Sequence, residues 1–185
     1  IADAPQEKFT QLVPVAEIAR QPFALIVRKN FPANTYKEFV EYARKNPTKI
    51  NVGIQNPSAS YPIVMPIEEK GRYRTTHILY AGSSTTKPEV DVATGTLDAY
   101  WTPLAAILTT GIGDRVRVLV ITGRARVDIV GSNTIAYGDD PLVGYHYTLN
   151  HILVNAKMDK RRQEELNTTF NAIIKSEWGN EHFSK

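Results

Sequence analysis

Residues 49–62 read KINVGIQNPSASYP, and this stretch decides the fold. Its first half is apolar enough for a buried strand, Pro57 follows in a short polar loop, and Ser60 is a candidate helix N-cap. A strand, a loop and a helix in this order form the repeating unit of open α/β sheets. The loop between the carboxyl end of a parallel strand and the amino end of a helix is where such sheets bind ligands.

The same pattern recurs about twenty residues further along the chain. Residues 76–80 form a second predicted strand, residues 81–85 form a small polar loop, and a second helix pattern follows. The free N–H groups and the positive dipole end of a helix favour an anion. Both loops are rich in Ser and Thr and poor in charge. Together they predict a site for a small oxygen-rich anion and not a site for bond-making chemistry.

Strand and helix patterns alternate along the rest of the chain, which predicts a mainly parallel α/β sheet. The predicted strands are residues 23–28, 50–55, 75–80, 97–101, 116–122 and 145–154, and the predicted helices begin at Thr35, Ser60, Thr86, Pro103 and Asp159. A proline inside a helix costs about 3 kcal/mol, so Pro66 predicts that the second helix is short or kinked. Residues 124–144 are predicted to be an irregular surface loop. The last helix is expected to bury Leu166, Phe170, Ile173 and Ile174.

Composition excludes several classes of protein. The 185 residues are 42% hydrophobic and 22% charged with a net charge of +3, which is ordinary for a soluble globular protein of one domain or two small ones. The densest basic cluster, residues 160–162, is followed directly by glutamates, so no nucleic-acid surface is predicted. The chain has no Cys, which excludes disulfides and thiolate metal sites. No apolar run is long enough to cross a membrane, and the first residues lack a signal-peptide pattern, so the sequence is expected to be cut at both ends.

Catalytic motifs are also missing from the sequence. No G-x-S-x-G elbow, no nucleotide-binding glycine motif and no pairing of nucleophile with base occurs, so no catalytic residue is predicted. His146 and His151 are five positions apart on a predicted strand and face opposite sides, which argues against a shared metal ion. The sequence therefore predicts a protein without metal, cofactor or enzymatic activity.

Several segments, in the right order and spacing, resemble the Bug-type periplasmic solute-binding proteins, which are the receptors of tripartite tricarboxylate transporters. The resemblance begins in residues 9–27 and continues through 31–39, 46–53, 80–83, 95–98 and 116–122 to the terminal strand and helix. It covers nearly the whole chain and rests on the ordered set of segments, since no single motif is diagnostic.

The resemblance implies an α/β protein of the two-lobed, periplasmic-binding-protein (Venus flytrap) type that closes on a carboxylate. Residues 25–144 would form one complete lobe, and residues 1–24 with 145–185 would be fragments of the other. The family's amino-terminal loop, which supplies N–H groups to one ligand carboxylate, has no counterpart here. The implied protein is a periplasmic monomer without cofactor. Its partners would be a small carboxylate and membrane transporter subunits, and not nucleic acid.

Two departures from the family's pattern bear on the ligand. Relatives usually end the first loop with His, where this chain has Tyr61, whose phenol can still donate a hydrogen bond. Relatives commonly have Asp after the fourth strand, where this chain has Trp101 and then Thr102, and an indole adds a flat apolar wall. The expected ligand is therefore a di- or tricarboxylate, or an aromatic carboxylate. The predicted ligand-binding residues are Gln55, Ser58, Ser60, Tyr61, Tyr80, Gly82, Ser83, Trp101 and Thr102.

Each of these residues also has a purely structural interpretation. Ser60 and Ser83 could be ordinary helix caps, the tyrosines could be packing residues, and Trp101 could lie in the core.

Two other functions of the protein stay open as well. One is the effector-sensing domain of a transcription regulator, which can share the two-lobed architecture, and the other is a small α/β enzyme. A DNA-binding module encoded upstream of Ile1 would indicate the regulator, and a signal peptide there would indicate the receptor.

Overall fold

A computed structural model describes residues 11–55, 57–80, 86–123, 126–128, 135–137 and 140–183. The strands in that part are β1 (Leu12–Arg28), β2 (Asn51–Gln55), β3 (Thr76–Tyr80), β4 (Ala99–Pro103), β5 (Val116–Ile121), β6 (Arg126–Asp128), β7 (Ile135–Tyr137) and β8 (Tyr147–Asn155). The helices are α1 (Tyr36–Lys45), α2 (Pro57–Gly71), α3 (Lys87–Thr94), α4 (Leu104–Thr110), α5 (Lys160–Lys175) and α6 (Glu177–Phe183). The chain divides into two compact units, Gln21–Tyr147 and the residues on either side of that range. None of the helices in the described ranges is both long and apolar enough to cross a membrane.

The larger unit is built on a sheet with the strand order β3-β2-β4-β1-β5. β2 is parallel to β3 and to β4, whereas β1 is antiparallel to β4 and to β5. The predicted α/β class is confirmed, but the sheet is mixed and not mainly parallel. The antiparallel position of β1 depends on partners that lie more than seventy residues away in sequence, and a local pattern carries no information about strand direction.

The sheet has a hydrophobic core on each face. Side chains alternate along β1, so Leu25 and Val27 join the core that α1 and α2 cover, while Ala24 and Ile26 join the core beside α3 and α4. All four residues are fully buried. This burial on both faces explains why the strand reads as a continuous apolar run.

Local signals for helix ends are confirmed. The Thr35 hydroxyl accepts a hydrogen bond from the amide of Glu38 at 3.2 Å, and the Glu38 carboxylate accepts one from the amide of Asn34 at 2.6 Å. α3 and α4 end at Gly95 and Gly111, whose φ angles of 81° and 64° are in the left-handed region that glycine adopts without strain.

Three local predictions are wrong. α2 is not short: it begins at Pro57, continues past Pro66 and spans 15 residues in all, with the side chains of Ile63, Val64 and Ile67 buried, whereas a kink at Pro66 stays a prediction. Burying such a side chain contributes roughly 1.5–3 kcal/mol, so three of them outweigh the cost of a helical proline.

The range 124–144 contains the antiparallel pair β6–β7 and the buried Val143, so it is not simply a surface loop. In the smaller unit, β8 pairs with β1, and the Asn167 side chain donates to the carbonyl of Val15 at 2.7 Å. Asp159 caps α5 as predicted, but α5 has no buried residue and Ile173 is 43% exposed. Every described side chain of α5 is therefore at least partly exposed.

Candidate functional site

The carboxyl ends of three neighbouring strands form the edge of the sheet where the sequence predicts binding. Because β2 is parallel to β3 and to β4, all three strands end on the same side. Gln55 and Tyr80, the last residues of β2 and β3, are direct partners in the strand register. Thr102 lies next to the last residue of β4. The two chain segments that the sequence singles out therefore leave adjacent strands at one edge.

The connection from β2 into α2 is held by a serine hydroxyl. Ser60 donates a hydrogen bond to the backbone carbonyl of Gln55 at 2.5 Å, and its residue is 9% exposed. Because α2 begins at Pro57, Ser60 is inside the helix and its hydroxyl ties the first turns back to the strand. The ring of Tyr61 lies 5.5 Å from the imidazole of His77, between centroids, and is half-buried. The backbone of Ser58 is in the first turn of α2.

Two tyrosine hydroxyls donate hydrogen bonds at this edge. Tyr100 donates to Oε1 of Gln55 at 2.9 Å, and Tyr80 donates to Oδ2 of Asp91 at 2.7 Å. Nζ of Lys87 is 3.2 Å from the same Asp91 oxygen and 5.3 Å from the centroid of the Tyr80 ring. The hydrogen bond from Tyr80, followed by Lys87, lowers the pKa of Asp91. Burial raises the pKa of both tyrosines, so their hydroxyls keep their protons and act as donors at neutral pH.

A buried acid lies beside the end of β4. Thr102 is completely buried and its hydroxyl donates to Oε1 of Glu89 at 2.7 Å. Glu89, in the first turn of α3, is 1% exposed, and its Oε2 has no hydrogen-bond partner within the described part of the chain. Burial raises the pKa of the Glu89 carboxyl. The sequence analysis missed Glu89, Asp91 and Tyr100. The only signal in the sequence was that both acids fall on the short helix pattern between β3 and β4.

Three of the predicted residues need separate mention. Trp101 is 4% exposed and packs in the core on the α1 and α2 face, because its neighbours Tyr100 and Thr102 face the other side of the sheet. A ligand contact for its indole stays a prediction. Gly82 and Ser83 lie outside the described residues. The edge therefore carries Gln55 from the end of β2, Ser60 and Tyr61 from the first turns of α2, Tyr80 from the end of β3, and Thr102 from β4.

The groups at this edge favour an anion held by neutral donors. Thr86, which precedes α3, makes no capping hydrogen bond with its side chain within the described part of the chain. Lys87, the cation over the Tyr80 ring, already pairs with Asp91. Within the described ranges, no group of three or more His, Asp or Glu side chains is arranged to hold a metal ion. Because the Ser, Thr and Tyr hydroxyls described above already donate to protein oxygens, backbone N–H groups at the helix ends are the expected means of binding an oxyanion here.

The chain is similar in sequence to known proteins. Residues 3–132 match the family described as tripartite tricarboxylate transporter family receptor (TctC). A UPF0065 protein of Bordetella pertussis is 34% identical over 92 residues, which make up 46% of this chain and 28% of that protein. The chain thus matches a limited part of this curated relative.

Solved structures share the fold. A TctC solute-binding protein from Polaromonas, without ligand, aligns with a TM-score of 0.73 at 18% identity over 93% of this chain and 58% of its own. MatC of Rhodopseudomonas palustris with bound malate aligns with a TM-score of 0.72 at 17% identity, over 91% of this chain and 57% of MatC. A third protein, Rpa4515 of R. palustris with adipate, aligns with a TM-score of 0.66 at 20% identity, over 92% of this chain and 56% of its own. The chain spans somewhat more than half the length of these proteins, and at such identities the likeness shows the fold alone.

Proposed function

The chain belongs to the tripartite tricarboxylate transporter receptor family, and we propose that it forms the carboxylate-binding part of a periplasmic receptor for such a transporter. The larger unit, Gln21–Tyr147, corresponds in this proposal to one lobe of the receptor, and the flanking residues belong to the other. The receptor acts as a monomer, captures a small carboxylate and delivers it to membrane subunits. It carries out no chemistry.

One observation supports this proposal above the others. β2 and β3 are adjacent and parallel, so the segments that follow them, and with these the amino ends of α2 and α3, leave the sheet at one edge. Each helix end contributes roughly 0.3–1 kcal/mol to binding an anion, and each hydrogen bond to a carboxylate contributes about 1.5–3 kcal/mol. Micromolar affinity needs about 8 kcal/mol, so a few such donors suffice without a dedicated Arg or Lys.

The arrangement favours an aliphatic di- or tricarboxylate over an aromatic one. The reason for expecting an aromatic ligand was an indole wall at Trp101, and that side chain is packed in the core on the opposite face from Tyr100. Two proteins of the same fold were solved with malate and with adipate, which are aliphatic dicarboxylates. We therefore place malate and adipate first among the solutes to test.

Binding is tested by thermal shift and calorimetry on the protein with both lobes present. Malate, adipate and citrate should raise the melting temperature, whereas benzoate, neutral amino acids and sugars should not. Tyr100→Phe removes the hydroxyl that orients Gln55 and should weaken carboxylate binding about tenfold, the equivalent of one hydrogen bond of about 1.4 kcal/mol.

Tyr42→Phe is the matched control, since it removes the same group from α1 on the other face of the sheet and should leave affinity unchanged. A protein that ignores the carboxylates and responds to sugars would contradict the proposal. A DNA-binding module encoded directly upstream would instead indicate a transcription regulator that senses the same solute.

A further inference from the structure

Three arginines meet at the edge of the sheet opposite to the proposed carboxylate site. Arg44 is in the last turn of α1, and Arg72 and Arg74 are in the connection from α2 to β3. Together with neighbouring side chains they line a cavity of about 340 Å³, whose full lining is Ala43, Arg44, Pro47, Glu68, Glu69, Arg72, Tyr73 and Arg74. We call this the arginine cavity. It lies before the amino ends of β2 and β3, whereas the carboxylate site follows their carboxyl ends.

Two hydrogen bonds join the chain segments that carry the arginines. Nε of Arg44 donates to the carbonyl of Gly71 at 2.8 Å, and the amide of Thr48 donates to the carbonyl of Arg74 at 3.0 Å. Arg72 directly follows α2 and has a φ of 51°, in the left-handed region where glycine is the usual residue. A long charged side chain is therefore present at a position whose backbone conformation favours glycine.

The donors of these arginines are largely unused. Within the described part of the chain, the side chains of Arg72 and Arg74 make no hydrogen bond and no ion pair, and Arg44 uses one of the five N–H groups of a guanidinium. Glu68 accepts from Thr75 at 2.5 Å and lies 3.0 Å from the His77 imidazole. Neither Glu68 nor Glu69 forms an ion pair with the arginines within the described ranges. The cavity thus presents three guanidinium groups beside two carboxylates, Glu68 and Glu69, which form no ion pair with them in the described ranges.

The chemistry of this cavity matches a phosphate group with a small carbon skeleton. A guanidinium offers a planar fork of donors that binds phosphate oxygens in pairs. Ala43, Pro47 and the ring of Tyr73 provide apolar surface beside the arginines. The volume of about 340 Å³ is at the lower end of the ~300–1,000 Å³ of small-molecule sites, so the cavity has room for carbon atoms beside a phosphate group. We propose that the arginine cavity binds the phosphate group of a small organic phosphate, independently of the carboxylate site.

Titration calorimetry of the purified protein at low ionic strength tests this assignment, with glycerol 3-phosphate and inorganic phosphate as the probes. Both should bind saturably, and the ester at least threefold more tightly because of its carbon skeleton. Arg72→Gly removes the guanidinium and also suits the left-handed backbone, so it should weaken binding of the ester at least tenfold without lowering the melting temperature.

Arg161→Gln is the matched control. Arg161 is an exposed arginine of α5 that pairs with Glu165 at 3.1 Å, and its loss changes net charge by the same amount. Its removal should leave the affinity for glycerol 3-phosphate unchanged. Equal losses in Arg72→Gly and Arg161→Gln would show general charge attraction and overturn the site. So would the lack of saturable binding at millimolar ester, equal affinity for the two probes, or displacement of the ester by malate.

Discussion

A methyl group at position 53 should destabilise the protein by overpacking the core beneath the carboxylate site. Gly53 is in the middle of β2, and a Cβ there would lie 2.7 Å from Cδ2 of Leu97, 3.1 Å from Cδ2 of Tyr100 and 3.4 Å from Cε2 of Tyr80. Leu97 is 2% exposed and Tyr100 is 3% exposed, so neither can move aside without disturbing further buried residues. Gly53→Ala therefore forces a rearrangement between β2 and β4.

The cost follows from measured overpacking in other cores. Inserting one carbon into a well-packed interior costs about 1–3 kcal/mol. For a chain of this size, each 1 kcal/mol lowers the melting temperature by about 2–4 °C, so the expected decrease is roughly 2–12 °C. Circular dichroism during heating measures it. Because the rearrangement reaches Tyr80 and Tyr100, Gly53→Ala should also weaken carboxylate binding.

A double-mutant cycle separates the clash from other effects of the methyl group. Leu97→Val shortens the side chain nearest to the new Cβ and by itself should cost about 0.5–1.5 kcal/mol. If the clash is the cause, the free energy of unfolding of the double variant falls by less than the sum of the two single decreases, and the difference is about 0.5 kcal/mol or more.

Gly95→Ala is the control, since a Cβ there meets nothing within 4 Å and strains only the backbone at φ 81°, so Leu97→Val should not relieve it. A Gly53→Ala variant as stable as the parent, or strictly additive losses in the cycle, would refute the reasoning.

Three further predictions concern Glu89, Asp98 and Ser83. Burial raises the pKa of Glu89, so the stability that its carboxyl contributes is present at low pH and falls as the pH rises through the folded-state pKa. Glu89→Gln should therefore stabilise the protein at about pH 8 and bring little change at about pH 4, as urea unfolding at both pH values will show. Asp98 accepts from Nε of Arg28 and from the backbone amide of Asn51, both at 2.9 Å, so Asp98→Ala should cost about 1–3 kcal/mol in the same assay. Ser83→Glu should abolish the thermal shift produced by malate and keep the fold, because a second carboxylate repels the ligand, and an unchanged shift would remove Ser83 from the site.

Parts of the candidate site were predictable because they depend on neighbours in sequence. The polar segments after two apolar strands placed Gln55 and Tyr80 at strand ends, and adjacency of consecutive strands in α/β sheets brought them to one edge. The burial of Glu89 was not predictable, since it depends on contact between α3 and Thr102 of β4. Nor was the direction of Trp101, because alternation along β4 fixes which residues share a face but not which face meets which helices.

The sequence by itself determined the helix ends at Thr35, Gly95 and Gly111, the apolar strands, and the α/β class, because capping and side-chain periodicity act within a few residues. Only the tertiary structure decided where β1 enters the sheet, which polar side chains become buried and which arginines share a cavity. The salt bridge from Arg28 to Asp98 spans 70 residues, and the Thr122 hydroxyl that accepts from the amide of Phe23 lies 99 residues away. Pairings at such distances form only when the whole sheet closes, so no window of sequence contains them.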